Sequence, residues 1–162
     1  MKRIVIKFGG TSVGSIEKII NAAKIVKKRY EEGNEVIVVV SAMSGTTNDL
    51  IDRAKKISDD FSKSELDVLM SSGEQISSSL LAGAIIELGI KSRSWLGWQI
   101  PILTNNIHTS SQIMQINTDE ILNFISNKGV AVIPGFQGIT EKNRITTLGR
   151  GGSDLSAVAI AK

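Results

Sequence analysis

The sequence has no cysteine among its 162 residues. That absence excludes a disulfide framework, a thiolate nucleophile and a cysteine-ligated zinc site, and it is compatible with a reducing compartment. Aromatic residues make up only 4% of the chain, so isoleucine, valine and alanine must fill most of the interior. The length suits one domain with a hydrophobic core of its own.

The sequence also lacks a long hydrophobic run. Its longest apolar stretch, residues 80–86, is far shorter than the ~20 residues that span a bilayer. The first residues contain a basic pair but no apolar segment of a signal peptide, so we expect a cytoplasmic protein with no membrane partner. The net charge of +3 favours a solvated basic surface. No aromatic residues interleave with the basic ones, and nucleic acid is therefore not an expected partner.

The first forty residues predict a βαβ unit. Residues 3–8 alternate and are rich in β-branched side chains, which is typical of a strand. A helix is expected over residues 15–30, and its apolar face consists of Ile16, Ile19, Ile20, Ala23 and Val26. Residues 36–40 are continuously apolar, as in a strand that is buried on both faces of a parallel sheet.

The remaining pattern alternates between helices and strands and indicates a single α/β domain. Helices are predicted over residues 48–58, from residue 62 to Gly89, from Thr118 as cap to Gly129, and from residue 153 onward. The expected apolar stripe of the second of these helices comprises Leu66, Leu69, Met70, Gly73, Ile76, Leu80, Ala84 and Leu88. Strands are expected near residues 91–95, 102–103, 113–117 and 130–133, with a hairpin over residues 136–147. The last helix has no stop signal, so we expect the sheet to continue beyond it.

Three loops rich in glycine and serine each follow a predicted strand, at residues 9–12, 41–47 and 149–153. Ligands of open α/β sheets bind at the carboxyl ends of the strands, where glycines let backbone N–H groups approach phosphate oxygens. One such loop is more often only a tight turn, but three at equivalent positions favour an anion site. None of them matches the P-loop or the G-x-G-x-x-G pattern, which argues against a standard NTPase and a dinucleotide dehydrogenase.

Two charged residues are candidates for ligand contacts. Lys7 lies in an otherwise apolar strand, where it is either a charge for phosphate oxygens or an edge-strand lysine that points to water. Gly73 costs its helix about 1 kcal/mol relative to alanine, which indicates close approach of a ligand or of another backbone. Glu74 beside it could bind an ammonium group, or it could be an exposed helical glutamate.

The last loop offers further candidates. Arg150 is flanked by glycines and could reach a carboxylate or a phosphate. Ser153 and Asp154 could contact a ligand or simply cap the following helix. His108 is the one histidine of the sequence, and we expect a loop residue without a role.

Five segments resemble those of the aspartokinase branch of the amino acid kinase family, and the resemblance covers essentially the whole chain. They read VIKFGGTSV at residues 5–13, VVSAMSGTTN at 39–48, SGE at 72–74, PGFQG at 134–138 and TLGRGGSD at 147–154. The resemblance implies a three-layer α/β sandwich with a mainly parallel sheet, like that of carbamate kinase, truncated at its C-terminus. Residues 1–162 are then the amino-terminal part of a kinase domain, without the regulatory ACT domains.

The resemblance also implies a reaction. The β-carboxylate of L-aspartate would attack the γ-phosphoryl group of ATP and give 4-phospho-L-aspartate, the first step towards lysine through diaminopimelate, threonine and methionine. The attacking carboxylate is ionised at pH 7, because its reference pKa is about 3.9, and needs no general base. Catalysis then consists of positioning and charge stabilisation.

By the same resemblance, Lys7 neutralises phosphoryl oxygens and Asp154 orients Lys7 through an ion pair. The residues expected to meet ATP are Lys7, Phe8, Gly9, Gly10, Ser41 and Ser153. The substrate residues are Glu74 for the ammonium group, Arg150 for the α-carboxylate, and Thr47, Gly151 and Gly152. Mg²⁺ is expected to be held through the nucleotide phosphates, with no protein residue as a metal ligand.

Two alternatives stay open at this point. A related kinase could act on glutamate, acetylglutamate or uridylate, although acetylglutamate has no ammonium group for Glu74 to bind. A non-catalytic assembly module is the other alternative, and it predicts an exposed apolar patch. The expected partners are accordingly aspartate and ATP, together with either a second copy or a complementary C-terminal chain.

Overall fold

The computed structural model describes residues 2–162. Its elements, in chain order, are β1 (Arg3–Phe8), a 3₁₀ turn (Gly10–Val13), α1 (Ile16–Glu31), β2 (Glu35–Val40), α2 (Thr46–Lys55), α3 (Lys63–Glu87), β3 (Ser92–Ser94), β4 (Ile102–Thr104), β5 (Ile113–Ile116), α4 (Asp119–Ser126), β6 (Val130–Pro134), β7 (Gln137–Ile139), β8 (Ile145–Thr147) and α5 (Gly152–Ala161). The order confirms the predicted βαβ start and the α/β class.

A parallel sheet forms the centre of the molecule. Its strands lie in the order β1-β2-β6-β3, and every neighbouring pair is parallel. Phe8 lies beside Val40, and Val40 beside Pro134, so the carboxyl ends of three strands are level. The loops at residues 9–12 and 41–47 begin at that edge, whereas the loop at residues 149–153 follows β8 (Ile145–Thr147), which belongs to a second sheet.

Helices cover both faces of this sheet. Val38 and Val40 of β2 point to one face and pack with α1 and α3. Ile37 and Val39 point to the other face and pack with α4 and α5. Because successive strand residues face opposite sides, the continuous apolar run of β2 contributes to both cores. The predicted three-layer sandwich is confirmed.

A second, mixed sheet joins the parallel one. Its strands lie in the order β5-β4-β7-β8. β7 and β8 form the hairpin that the sequence predicted, with antiparallel pairing from Gln137 opposite Thr147 to Ile139 opposite Ile145. β4 pairs antiparallel with β5 and parallel with β7. The strands of this sheet have only three or four residues, too few for their pattern to indicate which sheet they join.

The apolar stripe predicted for the long helix α3 is confirmed only in part, since Met70 and Gly73 are buried and Ala84 and Leu88 pack against the core. Ile76 and Leu80 are exposed, at 51% and 38%. The buried residues of α3 are Asp67, Met70, Ser71, Gly73, Glu74, Ser77, Ser78, Leu81, Ala82 and Ile85. Small and polar residues can be buried here because serine hydroxyls donate to the helix's own carbonyl groups, as Ser71 and Ser78 do.

Other helix details also differ from expectation. On α1, Ile16 and Ile20 are more than 40% exposed, whereas Ala22 joins the buried face. α2 begins and ends two to three residues earlier than predicted. Thr118 occupies the N-cap position of α4 without a side-chain hydrogen bond, and the Asn117 side chain accepts the Asp119 N–H instead, at 3.1 Å.

An apolar groove of about 850 Å³ lies between α5, β5 and α4. Met114, Leu155 and Val158 line it and are 69%, 54% and 57% exposed. The expected apolar patch is therefore present, while self-association through it stays a prediction. Within residues 2–162, no helix is both long and apolar enough to cross a membrane.

Candidate active site

A cleft of about 660 Å³ opens at the carboxyl ends of β1 and β2, between α3 and the loop that follows β8. Nine residues predicted for the site line this cleft: Lys7, Ser41, Thr47, Glu74, Arg150, Gly151, Gly152, Ser153 and Asp154. They come from four separate segments of the chain. The fold therefore brings most of the predicted site together in one place.

Lys7 and Asp154 form the expected ion pair, with 2.8 Å between Nζ and Oδ1. β1 is at the edge of the parallel sheet within the described residues, so Lys7 is also an edge-strand lysine, and its side chain is 30% exposed. Asp154 is 70% exposed, and an ion pair this open contributes little to stability. The pair lies in the cleft, which both residues line.

Glu74 is a buried carboxyl group that lines the cleft. It is only 3% exposed, so the alternative of an exposed helical glutamate is wrong. Its Oε1 accepts the Ala42 N–H at 3.1 Å, whereas Oε2 has no hydrogen-bond partner among the described residues. Burial raises the pKa of Glu74 to about 7, although the hydrogen bond from the Ala42 N–H lowers it in part. A carboxylate with a free, desolvated oxygen is suited to a cationic ligand.

The loop after β2 reaches Glu74 because Gly73 leaves room for it. A Cβ on Gly73 would lie 2.9 Å from the Ala42 Cβ and 3.3 Å from the Thr46 methyl group. The Ser77 hydroxyl donates to the Ser41 carbonyl oxygen at 2.7 Å. The close approach at Gly73 is thus to the side chains of Ala42 and Thr46, and not to a ligand or to another backbone.

Three of the residues predicted to meet phosphates are not in the cleft lining. The Phe8 side chain is 8% exposed and packs in the core under α1 and α3. A Cβ on Gly10 would lie 2.7 Å from the Ala42 carbonyl oxygen, so Gly10 permits two loops to pack. Gly9 lies beside Lys7, with 3.6 Å between its Cβ position and the Lys7 Nζ. Contacts of these three with a nucleotide stay predictions.

The third loop enters α5 without a side-chain cap. Its N-cap Gly151 has a φ of +69°, a left-handed conformation that favours glycine. A Cβ on Gly152 would lie 2.6 Å from the Phe136 ring. The first N–H groups of a helix have no partner within it, and here they border the cleft together with Ser153. Such a helix start is suited to an anion.

Comparison with known proteins matches the profile of the amino acid kinase family to residues 2–162. The chain belongs to the amino acid kinase family. Its structural features agree with that membership, since a parallel sheet between helices carries the cleft at the carboxyl ends of its strands.

Aspartokinases are among the curated relatives of this amino acid kinase chain. It is 51% identical over 158 residues to an aspartokinase of Geobacillus stearothermophilus. It is 52% identical over 161 residues to aspartate kinase Ask_LysC of Stutzerimonas stutzeri. These alignments cover 98% and 99% of the chain but 39% of each relative. The chain therefore spans well under half the length of the relatives it matches.

Solved structures share the fold. The aspartate kinase of Synechocystis superposes with a TM-score of 0.83 at 40% identity, over 99% of this chain and 26% of that one. E. coli aspartokinase III, in complex with aspartate and ADP, superposes with a TM-score of 0.82 at 24% identity, over 99% of this chain and 47% of that one. Giardia carbamate kinase superposes with a TM-score of 0.71 at 12% identity, over 99% of this chain and 70% of that one. The fold expected for the family is thereby confirmed.

The sequence reasoning missed a buried contact next to the cleft of this amino acid kinase chain. His108, expected to have no role, lies with its Nδ1 2.6 Å from Oδ2 of the fully buried Asp67. Thr109, its neighbour, lines the cleft. The one available signal was the spacing of Asp67, which precedes Glu74 by seven residues and so falls on the same helix face.

Proposed function

We propose that this chain provides the amino-acid pocket and part of the phosphate-binding surface of an aspartate kinase. The observation that carries the proposal is the buried carboxyl group of Glu74, which lines the same cleft as Lys7 and Arg150 and whose Oε2 has no hydrogen-bond partner among the described residues. One buried negative group and two positive groups complement an amino acid that carries one ammonium and receives a phosphoryl group.

Each group of aspartate has a counterpart in the cleft. Glu74 would accept hydrogen bonds from the ammonium group of the substrate. Arg150 would bind its α-carboxylate, and in the described chain it belongs to none of the ion pairs. Thr47 lines the cleft with a hydroxyl group for a further substrate oxygen. The names of the relatives support aspartate as the amino acid.

The proposed step is a phosphoryl transfer between two anions. A β-carboxylate oxygen of aspartate forms the new bond to the γ-phosphorus, and the bond from that phosphorus to the β,γ-bridging oxygen breaks. The electron pair leaves with ADP, and no proton has to move. Lys7 would stabilise the charge on the transferring oxygens, and Asp154 would keep Lys7 in place.

The nucleotide phosphates would be met by Lys7, by Ser41 and Ser153, and by the free N–H groups at the start of α5. The complex of E. coli aspartokinase III with aspartate and ADP supports a nucleotide as the second ligand. Mg²⁺ would neutralise phosphate charge when it is bound. Within residues 2–162 no three or more histidine, cysteine or acidic side chains are grouped for a metal, so the nucleotide itself would hold the ion.

The proposal extends to the role of the chain within a larger enzyme. Since the chain spans 39% of its first relatives, we propose that it is the amino-terminal part of a kinase domain. Full activity would then involve a complementary C-terminal chain or a second copy. The product would enter the pathway to lysine, threonine and methionine, and the compartment would be the cytoplasm.

Trapping of the acyl phosphate with hydroxylamine tests the proposal. The assay contains ATP, Mg²⁺ and either aspartate, glutamate or acetylglutamate. Of the three substrates, we expect only aspartate to give hydroxamate. The Lys7→Met variant should form it about 10²- to 10³-fold more slowly than the wild-type chain. Lys24→Met, on the exposed side of α1, is the matched control and should leave the rate unchanged. Hydroxamate from glutamate or acetylglutamate at the aspartate rate would contradict the proposal, and so would hydroxamate from none of the three when a complementary C-terminal chain is added.

A further inference from the structure

Asp67 is a second carboxyl group on the buried face of α3. It precedes Glu74 by about two helical turns, and it is 0% exposed. Unlike its neighbours Leu66 and Met70, it does not line the cleft. A buried carboxylate is costly unless hydrogen bonds replace its water. Its place in the fold therefore depends on the donors that surround it.

Three residues supply those donors. His108 Nδ1 lies 2.6 Å from Oδ2, and the Thr147 hydroxyl donates to Oδ1 at 2.5 Å. The Thr109 N–H is shared between the two oxygens, at 3.0 and 3.1 Å. Since an ionised carboxylate only accepts, Nδ1 of His108 carries the hydrogen. One carboxylate thus ties α3 to the loop between β4 and β5 and to the end of β8.

The two tied segments are also bonded to each other. Both the N–H and the hydroxyl group of Ser111 donate to the Thr147 carbonyl oxygen, at 3.0 and 2.9 Å. Ser111 and Leu148 form a parallel bridge. Residues 148–150 continue directly from Thr147 and line the cleft, as Thr109 does. Hydrogen bonds therefore connect Asp67 to the wall that carries Arg150.

Thr109 is held in an unfavourable conformation. Its φ is +66°, in the left-handed region that β-branched residues rarely adopt. The strain persists only where surrounding contacts fix the backbone, and the N–H of this residue is one that Asp67 accepts. Strain at the wall of a cleft is a sign that the position of that wall matters.

We propose that Asp67 is a positioning residue. Through His108, Thr109 and Thr147 it holds one wall of the cleft, formed by Thr109 and residues 148–150, against α3. The position of this wall sets the affinity for the carboxylate of an amino-acid substrate. The substrate part rests on the proposed function, whereas the anchoring part does not. Asp67 acts through the wall and not on the substrate, because it lies outside the cleft lining. Arg150 is exposed, so its backbone governs where its guanidinium can reach.

Substitutions at His108 test the proposal in the full chain without removing the buried carboxylate. His108→Ala deletes the donor, whereas the side-chain amide of His108→Asn can replace Nδ1 as a donor to Oδ2. Glu65→Gln is the matched control, since the ion pair of Glu65 with Arg144, at 2.6 Å, also joins α3 to the β7–β8 hairpin but lies on the surface. Amide hydrogen exchange is measured over residues 108–111 and 147–151.

We expect His108→Ala to exchange about tenfold faster in both segments, since it loses a hydrogen bond to a charged group. The same variant should raise the KM or Kd for aspartate about tenfold, with kcat and the KM for ATP within about twofold of wild type. His108→Asn should restore both readouts, and Glu65→Gln should change neither.

Exchange in His108→Ala that is no faster than in Glu65→Gln would overturn the anchoring, whether or not the wild-type chain uses aspartate. Faster exchange in His108→Ala together with an unchanged KM or Kd for aspartate would overturn the proposal that this wall sets the affinity for the substrate. A wild-type chain that neither binds nor phosphorylates aspartate would overturn the proposed function, and the exchange comparison would then decide the anchoring by itself.

Discussion

Glu74 shows how one buried group can favour ligand binding at the expense of stability. Its folded-state pKa of about 7 lies above the ordinary value of 4.5. Between these two values the unfolded chain has lost the proton that the folded chain still binds. Stability therefore falls as pH rises through this window, by up to about 3 kcal/mol at pH 8.

Replacement by glutamine removes this dependence. We expect the free energy of unfolding of Glu74→Gln, relative to that of wild type, to increase by about 3 kcal/mol as the pH rises from 4.5 to 8. The reason is that the amide stays neutral while the wild-type carboxyl group ionises. Urea unfolding followed by tryptophan fluorescence measures the difference. Glu87→Gln, an exposed glutamate at the end of the same helix, should show no such change with pH. A difference in unfolding free energy between Glu74→Gln and wild type that does not change over this pH range would contradict the raised pKa of Glu74.

At the scale of elements, two glycines of α3 have opposite reasons to be there. A Cβ on Gly73 would lie 2.9 Å from the Ala42 Cβ, whereas a Cβ on Gly83 would meet nothing within 4 Å. The first glycine therefore lets the loop after β2 approach the helix. The second is exposed and only lowers helix propensity.

The two alanine variants should therefore differ in sign. We expect Gly73→Ala to destabilise the fold by about 1–3 kcal/mol through overpacking against the loop. Gly83→Ala should stabilise it by up to about 1 kcal/mol. Both values come from urea unfolding at one pH. Equal effects of the two variants would show that the loop yields without cost and that Gly73 has no packing role.

At the scale of the whole molecule, the apolar groove between α5, β5 and α4 predicts self-association. Leu155 and Val158 of α5 are more than half exposed beside Met114, and large exposed apolar patches mark contact surfaces. We expect the chain to associate with rising concentration in sedimentation velocity. Val158→Glu should weaken this association about tenfold, since burying one valine contributes about 1.5–3 kcal/mol.

Ile57→Glu provides the comparison, because Ile57 is 77% exposed and lies outside the groove. It should leave the sedimentation profile unchanged. A wild-type chain that stays monomeric at high concentration, or equal effects of the two substitutions, would contradict association through the groove.

The sequence by itself determined the element order, the parallel βαβ start and nine of the residues that line the cleft. These features depend on local signals: alternation in β1, the apolar run of β2, and glycine-rich loops directly after strands. Phe8 and Gly10 lie outside the cleft lining, where Phe8 packs in the core and Gly10 lets two loops meet, and their contacts with a nucleotide stay predictions.

Only the tertiary structure decided which face of α3 is buried, which sheet each short strand joins, and where Asp67 finds its partners. Ile76 and Leu80 satisfy a helical apolar pattern yet lie exposed, while Asp67 and Glu74 are buried. Asp67 meets Thr147, 80 positions later in the chain. Hydrogen bonds between such distant segments offset the cost of burying polar groups, and a local pattern contains no information about which donors the fold will bring near.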